Sequence, residues 1–434
     1  MTSQPGGGEQ QWREDLPSAR LAAVIVLTGI GAGLGGGALT LLLHLVQHLA
    51  YGYSEDTFLI GVQRAAGQRR VLVMAAAGVI AGGGWWSLRR FAAPVPKVAQ
   101  ALGNRDVRMT LGTVTLDAVL QIVVVGLGAS LGREGAPRQF GGAVGAWLAE
   151  RAGLPADQRR ILLACGAGAG LTAAYNVPVG GALFTAEVLL ASLAFRVVVP
   201  AAATSVIATV VAWAVVSNRP TYQVASPSLS ATVVAWAVLA GPLLGLAGTG
   251  FVRLLDYAER HRADGARLPI ATVLVFPALG ALAIAYPQLL GNGKGPAQLA
   301  FDGTPALALL AALIVLKPIA TAACLGSGAT GGRLTPAVAT GALLGALLGR
   351  AWVPLWPGAR IGELAIIGAA GFLAVTLNAP LTAIALLLEF THTGTALLVP
   401  MVLTVAGAVI TARTLHNRSI SRASSGAPAP PPPG

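Results

Sequence analysis

Charge is what this chain lacks most. Its 434 residues include 29 Lys/Arg and 17 Asp/Glu, so charged side chains make up 11 % of the total, against roughly 25 % in an ordinary soluble domain. That is too little to wet the surface of a soluble enzyme of this size. The 55 % hydrophobic content and a mean hydropathy of +0.71 exclude a disordered chain. Cysteine is scarce too. Cys165 and Cys324 both lie in apolar stretches, so neither a disulfide-held secreted domain nor a metal site is indicated, and no cofactor is expected. The net charge of +12 invites a nucleic-acid partner, but no basic stripe runs beside stacking aromatics, so none is expected. Basic residues fall mostly between apolar runs, where they meet anionic headgroups and orient loops. This is the composition of an all-α polytopic protein whose first partner is the lipid bilayer.

A bilayer-crossing helix needs about 20 apolar residues. Candidate spans run from Leu21 to Leu49, Val71 to Trp86, Leu116 to Leu131, Val197 to Val216, Ala231 to Phe251, Ile270 to Leu290 and Ala306 to Leu325. Others are short or broken by Gly and Pro: Ile161 to Ala174, Val179 to Leu193, Pro336 to Leu348, Ile361 to Leu377 and Pro380 to Phe390. In transporter-like chains such breaks are where helices stop inside the membrane and their ends bind ions. Residues 1–19 form a polar tail without the apolar core of a cleavable signal. Residues 413–434 form a short basic, Pro-rich tail, and the positive-inside bias puts the tails in the cytoplasm.

The motifs repeat. Asn176, Pro178 and Glu187 recur with identical spacing as Asn378, Pro380 and Glu389, 202 residues on. Gly132, Arg133, Gly141 and Gly145 are echoed by Gly332, Arg333, Gly341 and Gly345, 200 residues on, and Asp117 by Lys317. Two ordered motif pairs at nearly one offset divide the membrane region into halves at 20–216 and 228–412, joined by a connection at 217–227. Spacing alone leaves open whether the halves are inverted or parallel, although folds with broken helices commonly invert.

Proline in a first helical turn preorganises a start, and an asparagine just before it caps free N–H groups. Each Asn-x-Pro segment therefore reads either as a helix whose positive end faces an anion or as a well-capped helix, with its glutamate near the other end. In Gly132-Arg133-Glu134-Gly135 a carboxylate sits between glycines in an apolar region, which is costly unless it is paired or wetted. The glycines leave backbone N–H groups open to an anion or to Glu134 itself. A surface Arg133–Glu134 loop is the bland alternative. The counterpart, Gly328 to Pro336, carries Leu334 where the first half has Glu134.

Gly-Arg-Glu-Gly at 132–135, Asn-x-Pro with its following glutamate, Gly-Gly-x-x-x-Pro at 331–336 and Asn378-Ala-Pro-Leu-Thr382 resemble, in order and spacing, the CLC chloride channels and proton-coupled chloride antiporters. The resemblance covers about residues 20 to 421. It implies a CLC-like inverted repeat of two halves with broken and re-entrant helices, and a homodimer formed through helices near 180–216 and 380–412. A multi-pass position in the plasma membrane goes with it; cytoplasmic regulatory domains are not expected. Function follows as transport of small inorganic anions, chloride foremost, through a pore in each protomer. Glu134 is then the gate: ionised it occupies the amide-lined anion site, protonated it swings away. Arg133, Glu134, Gly135, Arg333 and Leu334 are the implied backbone contacts.

Departures sharpen these expectations. Ala93, in Ala92-Ala93-Pro94-Val95-Pro96, stands where the resemblance implies an anion-binding serine, and Ser421 where it implies a tyrosine, so the inner site loses side-chain donors. The second glutamate of a proton path falls on Val188, leaving the adjacent Glu187 as the substitute candidate, about 100 degrees round the helix. Arg333 either draws anions inward or snorkels to water. Asp117 and Lys317 either pair across the repeat axis or are separate interfacial charges. Two other readings stand beside chloride transport: the same fold as a proton-coupled chloride or fluoride antiporter, or as a nitrate carrier, and, from another class, an intramembrane hydrolase built on Ser130 with His44, His48 or His392. No nucleophile–base pair supports the last.

Overall fold

A computed structural model describes residues 19–53, 57–104 and 107–425, with side chains through Asn417. Among them every regular element is a helix, apart from one isolated β-bridge. The first half comprises α1 (Ala19–Tyr51), α2 (Phe58–Arg64), α3 (Gly67–Phe91), α4 (Val98–Gly103), α5 (Leu111–Gly126), α6 (Gly135–Arg151), α7 (Ala156–Tyr175), α8 (Pro178–Leu183), which widens into a π turn over Phe184–Leu189, and α9 (Phe195–Ala212). The second comprises α10 (Ala231–Arg260), α11 (Arg267–Ala285), a 3-10 turn at Pro287–Leu289, α12 (Lys294–Phe301), α13 (Leu307–Gly326), α14 (Leu334–Trp352), α15 (Ile361–Leu377), α16 (Pro380–Thr391) and α17 (Leu398–Ser425). Among the described residues eight helices are long and apolar enough to cross a bilayer: α1, α3, α9, α10, α11, α13, α14 and α17. The protein is a multi-pass membrane protein.

Several boundaries differ from the sequence reading. α17 was not among the spans read from hydropathy, although the resemblance implied helices near 380–412, and it continues through Arg413 to Ser425, where a tail was expected. Arg413 lies where helix hydrogen bonding continues past the apolar run, which hydropathy does not register. α5 ends at Gly126 rather than Leu131, leaving Leu127 to Glu134 outside any helix. α10 continues past Phe251 to Arg260 and so carries Asp256 and Glu259 on helical backbone.

Small residues let the broken helices pack backbone to backbone. A Cβ on Gly145 of α6 would overlap the Leu162 carbonyl of α7; one on Gly345 of α14 would lie 2.7 Å from the Leu364 carbonyl of α15. The same contact is thus made twice, at equivalent positions of the two halves. The halves meet where equivalent residues touch: Gly132 N–H donates to the Gly332 carbonyl at 2.8 Å, and Gly332 N–H to the Gly132 carbonyl at 2.8 Å. Reciprocal antiparallel bonding between equivalent residues places a two-fold pseudo-symmetry axis between them, so the two halves run in opposite directions where they meet.

The Asn-x-Pro segments are settled by a second reciprocal contact. Glu389 of α16 accepts the N–H groups of Val179 (2.8 Å) and Gly180 (2.6 Å) at the start of α8. Glu187 of the π turn accepts those of Leu381 (3.1 Å) and Thr382 (2.7 Å), with the Thr382 hydroxyl at 2.7 Å, at the start of α16. These helix starts therefore face a carboxylate of the other half, not an external anion. The asparagines do not cap them. Asn176 (φ 58°) and Asn378 (φ 51°) end the preceding helices α7 and α15 in the left-handed region, which asparagine tolerates better than other side chains. The connection after residue 216 is pinned to the second half. Glu363, 3 % exposed, accepts the Ser228 N–H at 2.8 Å, and Arg360 reaches the Ser226 carbonyl.

Candidate anion-binding site

The helical breaks converge on the bridge between Gly132 and Gly332. Segment 127–134 runs from the end of α5 to the start of α6, and segment 327–333 from α13 to α14. Both new helices start beside the bridge, so their free N–H groups and positive dipole ends gather there. Glu134 is fully buried at 0 % exposure. Its Oε1 accepts the Leu334 N–H, the first of α14, at 2.6 Å. Oε2 lies 3.4 Å from both the Tyr175 and the Thr335 hydroxyls, which are 2.8 Å from each other. Among the described residues no ion pair involves Glu134, so backbone dipoles must offset its burial when it is ionised. Glycine at 132 and 332 leaves room for this placement of the carboxylate, because a Cβ at either would overlap it. A pocket that holds a carboxylate oxygen on a helix-terminal N–H also suits a halide.

Beside this pocket opens a cavity of about 480 Å³ whose walls include Gln121, Gly135, Arg138, Val188, Gly332 and Leu334. Charges ring its mouth. Lys97 binds Glu259 at 2.6 Å, and Arg333 binds Asp256 at 2.6 Å and Glu259 at 3.0 Å. Arg333 therefore lines the cavity as a paired charge, because α10 extends far enough to bring Asp256 and Glu259 to it. The Arg133 side chain, by contrast, does not line this cavity. Its Nη2 donates to the Ala174 carbonyl at 2.9 Å, its Cζ stands 4.6 Å over the Tyr175 ring, and its buried Nε has no partner.

Other expected residues lie apart. Ala93 is exposed in the loop after α3, and the cavity wall from that part of the chain is Lys97 to Ala99 instead. Ser421 is in the last turns of α17, where side chains lie outside the described residues. Val188 lines the cavity while Glu187 is engaged at the start of α16, as expected of neighbours that point in different directions. Asp117 and Lys317 do not pair. Asp117 accepts Trp85 Nε1 (2.8 Å) and Gln121 Nε2 (2.6 Å), whereas Lys317 donates to the carbonyls of Leu289 (3.0 Å) and Gly291 (2.7 Å). Each is turned into its own half, and both are buried rather than interfacial. Ser130 is buried against Thr321 at 3.3 Å. His44 stacks with His48, and His392 closes α16 in a left-handed conformation, so none of these three histidines is placed against Ser130.

Sequence reasoning passed over Tyr175, Gln121 and Arg138. Arg138 was legible as a charge four residues after Glu134, one turn along the same helix. Tyr175 carried no such signal.

Residues 73–413 match the model of the voltage gated chloride channel family, and the chain belongs to that family. It is 32 % identical over 311 residues to the H(+)/Cl(-) exchange transporter ClcA of Vibrio campbellii, an alignment covering 68 % of this chain and 65 % of that protein. To the H(+)/Cl(-) exchange transporter ClcA of Cronobacter sakazakii it is 31 % identical over 308 residues, covering 68 % and 66 %. The chain thus spans just under two thirds of the length of these relatives. Two solved structures share its fold. A slow cyanobacterial Cl-/H+ antiporter superposes with a TM-score of 0.80 at 21 % identity, covering 95 % of this chain and 99 % of that one. A CLC-type fluoride/proton antiporter superposes with a TM-score of 0.75 at 18 % identity, covering 95 % and 98 %.

Proposed function

We propose that the protein carries small inorganic anions, chloride foremost, across the plasma membrane through a path in each protomer gated by Glu134. The observation that carries this reading is the Glu134 carboxylate on the Leu334 N–H, beside a cavity that ends at the same residues. Ionised, Glu134 competes with the anion for that N–H; protonated, it loses the charge that held it and the anion takes its place. Anion flux in liposomes then rises as pH falls, and Glu134→Gln, which mimics the neutral form, is fast and insensitive to pH. A variant with the wild-type pH response would sink the gating role.

Proton exchange coupled to the anion is the second reading, supported by the names of the relatives in Vibrio campbellii and Cronobacter sakazakii. Val188 offers no proton carrier at the cavity wall, and Glu187 is committed to capping α16, which argues for weak coupling. Reversal potentials under an imposed pH gradient, with chloride, fluoride and nitrate compared, separate the readings. In this reading the protein is a homodimer through the faces of α8, α9, α16 and α17, with cytoplasmic tails.

A further inference from the structure

Among the described residues two cations of the cavity wall, Arg138 and Arg262, make no ion pair, and Arg138 is the one beside Glu134. Arg138 lies in the first turns of α6, one helical turn, or roughly 5 to 6 Å, from Glu134. Its Nε donates to the Glu134 carbonyl at 3.1 Å, and its Cζ stands 5.2 Å over the ring of Phe184, which also lines the cavity. These two contacts fix the plane of the guanidinium. Among the described residues it makes no other hydrogen bond and no ion pair, so Nη1 and Nη2 have no protein acceptor. The carboxylates of the same cavity, Asp256 and Glu259, are already bound by Lys97 and Arg333. A half-buried fork of N–H donors beside an anion path, held flat and without an acceptor, is the chemistry of an anion site.

We propose that Arg138 is an anion-binding and selectivity-determining residue. It holds a small monovalent anion in the inner cavity and favours planar oxoanions, which take two parallel N–H bonds from the fork. This deepens the transport reading above and rests on it. The inner site keeps an anion in the path while Glu134 occupies the pocket at the bridge. It also supplies a donor on a wall where Val188 has none, in a path from which Ala93 stands apart.

The test compares chloride and nitrate flux in liposomes for wild type, Arg138→Gln and Arg138→Lys, with folding checked by thermal melting. Loss of the charge in Arg138→Gln is expected to raise KM for both anions about tenfold, the equivalent of about 1.4 kcal/mol. Arg138→Lys restores the charge without the fork, so chloride KM recovers and the preference for nitrate does not. A loss that was only structural would not separate the two anions. Wild-type KM and selectivity in Arg138→Gln overturn the proposal; if that variant fails to fold, an unchanged nitrate preference in Arg138→Lys does so. Glu134→Gln distinguishes the two claims, because it removes the pH response while leaving the nitrate preference in place. Should wild type carry no anion, the transport reading fails, and stabilisation of the purified protein by nitrate over chloride, lost in Arg138→Lys, still decides Arg138.

Discussion

Gly332→Ala tests the proposed gate without altering Glu134 itself. A Cβ at 332 would overlap Cδ and Oε1 of Glu134. The backbone at 332 is not left-handed, so alanine fits there without strain, and the bridge to Gly132 uses only N–H and C=O groups. What gives way is the end of a flexible side chain. Displacing it breaks the charge-assisted bond from Leu334 N–H to Oε1 at 2.6 Å, worth about 1.5–3 kcal/mol, so occupancy of the pocket by the carboxylate falls roughly ten- to a hundredfold. Chloride efflux from liposomes should then be high at neutral pH and nearly flat on acidification, where wild type rises. The methyl group also narrows the pocket, and Glu134→Ala with and without Gly332→Ala separates the effects. Equal flux means the methyl acts only through the carboxylate; slower flux in the double variant measures obstruction. A folded Gly332→Ala protein with the wild-type pH slope would refute the competition of carboxylate and anion for one N–H.

Three further outcomes are expected. Glu389→Ala leaves the N–H groups of Val179 and Gly180 without their acceptor, and thermal melting should show a loss of about 1–3 kcal/mol, with Glu187→Ala similar because it removes the equivalent cap. Glu363→Ala frees the connection that Ser228 and Arg360 tie down, so limited proteolysis within 217–230 should accelerate. The backbone N–H of Gly265, helped by Arg89, holds the Asp264 carboxyl below its ordinary value in the loop between α10 and α11. Its stabilisation is present above the unfolded value of about 4 and is lost as pH falls through the folded value. Asp264→Asn should therefore flatten the acid limb of the stability profile slightly, since the side chain is largely exposed and screened.

Much of the fold was legible because membrane insertion writes itself into composition. Apolar length marks spans such as α1 and α11, and Gly and Pro mark the breaks. The repeat offset also announced the axis: residues 200 apart at Gly132 and Gly332 are in mutual contact. Side-chain partners between distant segments were not legible. Nothing in the sequence near Arg333 reveals that α10 runs on to Asp256, and a helix that continues past its apolar stripe leaves no hydropathy signal. Asn176 illustrates a different limit. Asparagine favours both a helix start and a left-handed helix end, and with Pro178 two residues later the sequence pointed to the start. The chain instead placed the cap in Glu389, more than 200 residues away, where only the assembled axis brings it within reach.

The axis also explains why the pocket carries one glutamate rather than two. By the repeat offset the equivalent of Glu134 is Leu334, and it is the Leu334 N–H that receives the Glu134 carboxylate. The two halves therefore play unlike parts at one place, one supplying the carboxylate and the other its backbone donor. Were position 334 also a glutamate, symmetry would send its carboxylate back towards the start of α6. Two like charges would then converge beside the Gly132–Gly332 bridge, in a volume that already excludes a Cβ on either glycine. Repulsion at that separation in a poorly hydrated interior would force one of them to stay protonated. An apolar residue at 334 removes that conflict. On the proposed gating, occupancy of the pocket is then a matter of one carboxylate, Glu134, set against the concentration of anion.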